Sequence, residues 1–157
     1  MDEEQDPKRP LSKTGWAEVE KTARHLAGLK ITVDKLFHSP KLRAVQTAEV
    51  LSSRLHPAKG LSESDGLLPN DPPKTWKKKL KEMDGSLMIV GHLPYLTRLA
   101  SLLLSDYLDK IHLALATGGV MSLRRDEKGT WSLEWMIAPG FFRKRERAAP
   151  SLEQEKE

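Results

Sequence analysis

Two side chains in this sequence have the type and setting for chemistry on an anion: a histidine that ends an apolar run and an arginine just inside a helix. The run Ser86-Leu87-Met88-Ile89-Val90-Gly91-His92-Leu93-Pro94 reads as a buried strand whose last residue enters a site. Pro94 then opens an apolar-periodic segment, Tyr95 to Leu104, as proline does in a first helical turn, where its missing N–H would have had no partner. Ligands of open α/β sheets collect beyond the carboxyl ends of strands, and a helix start offers free amides to an anion. His92 is therefore a candidate for phosphate chemistry, against the plainer alternative that it closes the strand and bonds a carbonyl. Arg43 falls in the first turn of the helix that follows Ser39-Pro40-Lys41. A cation there opposes the helix dipole, which suits an arginine that grips an anion over the helix start; a solvated arginine is the alternative.

These residues need elements to hold them. Ser12 and Thr14 are cap candidates for a first amphipathic helix in which Val19, Ala23, Leu26 and Ala27 recur at helical spacing through Leu29. Val33 to Ser39 reads as a short buried strand, stopped because the residue before Pro40 resists helix. A second helix has Ala44, Ala48, Leu51 and Leu55 as its core face and ends at His56-Pro57. Ala58 to Pro73 is a surface loop, with Leu67-Leu68 suggesting a brief strand. Trp76, Leu80 and Met83 mark a short helix whose outer side carries Lys74, Lys77, Lys78, Lys79 and Lys81. After the His92 strand and its helix, Ala116–Arg125 and Thr130–Ile137 alternate around Asp126-Glu127-Lys128-Gly129, a hairpin signal, with Trp131, Leu133 and Trp135 on one face.

Helix and strand alternate from Ser12 to Leu104, which predicts an α/β fold with a mixed sheet. At 157 residues the chain is one domain, taken as residues 1–142, followed by a charged tail at 143–157. The acidic start Met1-Asp2-Glu3-Glu4-Gln5-Asp6 is unlike a secretory signal, and no apolar run is long enough to span a bilayer; a cytoplasmic location without membrane attachment is expected. The absence of cysteine excludes thiolate catalysis and cysteine-held metals, and no pair of histidines has metal-ligand spacing, so no metal or cofactor is expected. A net charge of +4 permits a phosphate-bearing substrate without requiring nucleic acid. The lysine-rich helix reads as a solvated face with Trp76 in the core rather than a nucleic-acid patch.

Taken together, Ser39-Pro40-x-x-Arg43-Ala44-x-Gln46-Thr47-Ala48-Glu49 and Val90-Gly91-His92-Leu93-Pro94 resemble the histidine phosphatase superfamily, the group of the cofactor-dependent phosphoglycerate mutases. The lead-in Asp6-x-x-Arg9-Pro10-Leu11-Ser12-x-x-Gly15, then Gly118-Gly119-Val120 and Trp131-x-Leu133-x-Trp135, are similar to its SixA branch, so the likeness spans roughly residues 6 to 140. It implies a three-layer α/β sandwich with a mostly parallel mixed sheet. It also implies phosphoryl transfer to a nucleophilic histidine, and release by water. Arg43 and His92 would bind the phosphoryl oxygens, and His92 would donate a hydrogen bond to the transferring group. Asp71, in Leu68-Pro69-Asn70-Asp71-Pro72, is the candidate proton donor to the leaving group, with a helix cap before Pro72-Pro73 as its structural alternative. His38, at a strand end, is a candidate for the pocket edge. The implied substrate is a protein-borne phosphohistidine, with a small phosphate ester as the alternative.

The family opens on an apolar strand ending in Arg-His-Gly, whose histidine is the nucleophile, and no Arg-His-Gly occurs in this sequence. Arg24-His25 precedes Leu26 inside the first helix and is no substitute. The first central strand and the nucleophile are therefore expected upstream of Met1, and the chain alone is expected to be inactive. A catalytically inactive phosphate-binding or interaction module of the same fold is the competing expectation.

Overall fold

The computed structural model describes residues 6–141. Four helices and five strands follow one another as α1 (Lys13–Gly28), β1 (Lys35–His38), α2 (Leu42–Leu55), β2 (Leu61–Glu63), α3 (Lys74–Lys81), β3 (Leu87–Val90), α4 (Tyr95–Ser105), β4 (Val120–Arg125) and β5 (Trp131–Ile137). This is an α/β fold. The expected charged tail at 143–157 lies outside the described residues.

Three strands form a parallel sheet in the order β2-β1-β3. β3, Leu87-Met88-Ile89-Val90, is an unbroken apolar run because both of its faces are covered. Leu36 of β1 and Met88 and Val90 of β3 face α1 and α2, packing with Val19, Ala23, Leu26, Ala44, Ala48 and Leu51. Phe37 of β1 and Leu87 and Ile89 of β3 face the other way, against Leu67, Trp76 and Leu80 of the α3 side and Tyr95 and Leu99 of α4. The period of two along each strand thus divides the core into two halves, one on each side of the sheet.

Local chemistry accounts for most of the element ends. The Ser12 hydroxyl accepts from the Gly15 N–H at 3.0 Å and caps α1. His56 takes a left-handed conformation, with φ of 48°, and stops α2 where the sequence places its end. Pro94 sits one residue before α4 rather than within its first turn, and its carbonyl accepts from Arg98 N–H. The expected strand at Leu67-Leu68 is replaced by Leu61–Glu63, which pairs with the free side of β1. Leu67 instead plugs the core beside Trp76, and Leu68 is exposed.

β4 and β5 form a separate antiparallel ladder closed by Asp126, which accepts from Lys128 and Thr130 N–H in the turn. Ser122 opposes Trp135 while Leu123 opposes Leu133, so Glu134 is an extra residue and the alternation slips there. Trp131 and Trp135 pack against the two halves of the core, whereas Leu133 is exposed, which corrects the expected three-residue face. The hairpin is tied to α1 through Gly118, whose carbonyl accepts from the Thr22 hydroxyl at 2.7 Å. With φ of 71°, and with Pro139 Cγ crowding the place a Cβ would take, Gly118 sits where a side chain would be strained.

Between β3 and β4 lies a cleft of about 1900 Å³. All of β3 and all of β4 line it, and among the described residues each of these strands is hydrogen-bonded on its other side only. The two ladders therefore face each other across an open gap.

Candidate active site

The cleft ends at the carboxyl ends of β1 and β3, where the chain turns into α2 and α4. His92 follows β3 by two residues and is 9% exposed. Arg43 stands in the first turn of α2, half-buried. Both line the cleft, together with Arg9, Lys41 and Asp71. The fold thus gathers the two residues singled out in the sequence, although they lie 49 positions apart in the chain. His38, the candidate for the pocket edge, is buried, donates through Nδ1 to the Ser39 carbonyl at 3.0 Å and does not line the cleft. His25, His56 and His112 are exposed.

The electrostatics favour an anion. Burial first, then the Arg43 and Lys41 charges, push the His92 pKa down to about 4, so its ring is neutral at physiological pH. Lys41 is 8% exposed, and burial, then Arg43 and Arg9, lower its pKa too. Cations that depress one another's protonation are relieved when a negative group comes between them. The Arg43 guanidinium donates to the Asp6 carbonyl at 3.3 Å, so the lead-in segment is drawn against the site. A second tie, Leu42 N–H to the Pro7 carbonyl at 2.9 Å, fixes the same segment on the start of α2.

Asp71 is not a helix cap: α3 begins after Pro73, and the Asp71 carboxylate instead accepts from Leu68 N–H at 2.9 Å. It closes its own turn at the edge of the cleft. Below it Tyr95 is fully buried, and its hydroxyl has no hydrogen-bond partner among the described residues. Burial, and then the Asp71 charge, raise the Tyr95 pKa.

Sequence reasoning passed over two residues of the site, Ser39 and Lys41. Ser39 is fully buried, and its Oγ lies 2.7 Å from His92 Nε2. The Ser-Pro pair signalled only the end of a strand; the contact it makes across the sheet is not local. Nothing in the sequence sets Lys41 apart from the other lysines. On α3 the same type does behave that way: Lys79 lies 5.0 Å from the ring centroid of buried Trp76, and Lys77 pairs with Asp106. Among the described residues no group of three or more His, Cys, Asp or Glu could hold a metal ion, and no helix is long and apolar enough to cross a membrane.

Known proteins resemble this chain in sequence and in fold. Residues 3–68 match the model of the histidine phosphatase superfamily (branch 1). The phosphohistidine phosphatase SixA of Escherichia coli (strain K12) is 27% identical over 147 residues, covering 88% of this chain and 87% of that protein. The solved structure of the protein histidine phosphatase SixA complexed with tungstate superposes with a TM-score of 0.79 at 25% identity, covering 88% of this chain and 90% of that one. A putative phosphohistidine phosphatase SixA from Agrobacterium tumefaciens shares the fold, with a TM-score of 0.72, 24% identity and coverage of 86% and 87%.

Proposed function

We propose that this member of the histidine phosphatase superfamily serves as a phosphatase that removes the phosphoryl group from phosphohistidine on a protein. The observation that carries the reading is the convergence of Arg43, Lys41 and neutral, buried His92 on one cleft beyond the carboxyl ends of β1 and β3. Arg43 and His92 bind the phosphoryl oxygens and stabilise the charge spread over them during transfer. A histidine nitrogen attacks phosphorus, the bond to the substrate nitrogen breaks, and the departing imidazole takes a proton. Asp71, at the cleft edge, is the candidate donor of that proton. Water then attacks the phosphohistidine, giving inorganic phosphate and the free histidine.

On this reading the nucleophile comes from a further strand, apolar and ending in Arg-His-Gly, laid between β3 and β4. The unpaired edges of those two strands support that placement, since an extended segment would hydrogen-bond to both and fill the gap. The reading also takes the protein to be cytoplasmic and to need no metal or cofactor.

The test is turnover of a phosphohistidine protein and of a generic phosphomonoester by two proteins: the 157-residue chain, and the same chain preceded by such a strand. Activity is expected only in the extended protein, with preference for phosphohistidine, and Arg43→Ala or His92→Ala should abolish it. An extended, folded protein that binds inorganic phosphate but never turns over would instead make it a phosphate-binding module. Faster turnover of small esters would move the substrate class.

A further inference from the structure

Ser39 is tied down at every polar atom. Its N–H donates to the Val90 carbonyl at 3.0 Å, joining the end of β1 to the end of β3 just before His92. Its carbonyl accepts from His38 Nδ1 at 3.0 Å. Its Oγ accepts a long bond, 3.4 Å, from Lys41 N–H and lies 2.7 Å from His92 Nε2. The hydroxyl proton has no other acceptor among the described residues, so it points at Nε2. Nε2 must then be the unprotonated nitrogen of the ring. The ring proton of neutral His92 sits on Nδ1, which has no hydrogen-bond partner among the described residues, in a ring that lines the cleft.

We infer that Ser39 is a positioning residue that fixes His92 as the Nδ1–H tautomer, so that Nδ1–H is the donor offered to an oxyanion in the cleft. The alternative arrangement, Nε2–H donating to Ser39, would leave the serine proton unsatisfied in a fully buried place and present a bare, repelling nitrogen to the anion. A full positive charge on the ring would also invert the Ser39 bond, and burial beside Arg43 and Lys41 disfavours that charge. The inference rests on the proposed phosphate site for its purpose but not for its geometry.

Nitrogen-15 long-range correlation spectra of the 157-residue chain at neutral pH read the tautomer directly, with His92→Gln identifying the signals. We expect Nε2 in the unprotonated range and Nδ1 in the protonated one. Ser39→Ala should give mixed tautomers and bind inorganic phosphate about three- to tenfold more weakly, the effect of one lost hydrogen bond. Ser39→Thr, which keeps the hydroxyl, should restore both. A wild-type ring protonated on Nε2, or a folded Ser39→Ala protein with an unchanged tautomer, overturns the inference. If Ser39→Ala does not fold, the wild-type and Ser39→Thr spectra still decide it. A correct tautomer in an extended protein that never turns over would refute the phosphatase reading alone; turnover with the opposite tautomer would refute only the role of Ser39.

Discussion

β1 and β4 are strands of similar chemistry in opposite situations. β1 is hydrogen-bonded on both sides, and Leu36 at its centre is fully buried. Among the described residues β4 is hydrogen-bonded on one side only, and Val120, Met121 and Leu123 are partly exposed where they border the cleft. An apolar strand is finished as a core element only when both edges and both faces are met; β4 and the facing edge of β3 stop short of that. Stability should therefore be concentrated around β1, and binding around the gap.

The sharpest way to break this contrast is a pair of truncations. Leu36→Ala should destabilise by about 2–5 kcal/mol, the range for a fully buried leucine, whereas Met121→Ala should cost less than about 1 kcal/mol because its site is already open. Urea unfolding of both variants checks the difference, and equal losses would refute it.

Protonation gives the next largest effect. His92 has a folded pKa pushed down to about 4 from an ordinary value of 6.5. Between those values the unfolded chain holds a proton that the folded chain lacks, so stability falls as pH drops from 6.5 towards 4 and levels off below. With solvent screening of a ring that lines the open cleft, the loss is on the order of 1–2 kcal/mol. It should be absent from His92→Gln, as measured by unfolding midpoints across that window.

Arg43→Ala should weaken inorganic phosphate binding about tenfold or more, the scale of a lost charge-assisted hydrogen bond, while Lys78→Ala on the outer face of α3 should leave it unchanged. Calorimetric titration at constant ionic strength separates the site from general positive charge. Last comes Tyr95→Phe, which removes a buried hydroxyl without a described partner. It should be neutral or stabilise by about 1 kcal/mol, read as a small rise in Tm.

Much of the fold was legible in the residues. The helical spacing of Val19, Ala23 and Leu26, the Ser12 cap, the stop at His56-Pro57 and the turn at Asp126–Gly129 all act within a few residues of themselves, and each appears where its chemistry places it. β2 leaves no mark in the sequence because three residues have no period of their own. Which apolar pair becomes a strand there depends on the free edge of β1, and Leu61 rather than Leu67 meets it. Asp71 precedes two prolines, as a helix cap would, yet the Leu68 N–H claims its carboxylate.

The sequence by itself determined the order and kind of the elements, and marked His92 and Arg43 through a strand end and a charge set against a helix dipole. Those signals are local, and local chemistry survives in one dimension. Only the tertiary structure decided that Ser39 and His92, 53 positions apart, share a hydrogen bond, that Lys41 is buried beside Arg43, and that β3 and β4 face each other across an open cleft. Each of these depends on the distance between segments that the chain does not make neighbours, a quantity set by how sheet edges and helix faces pack.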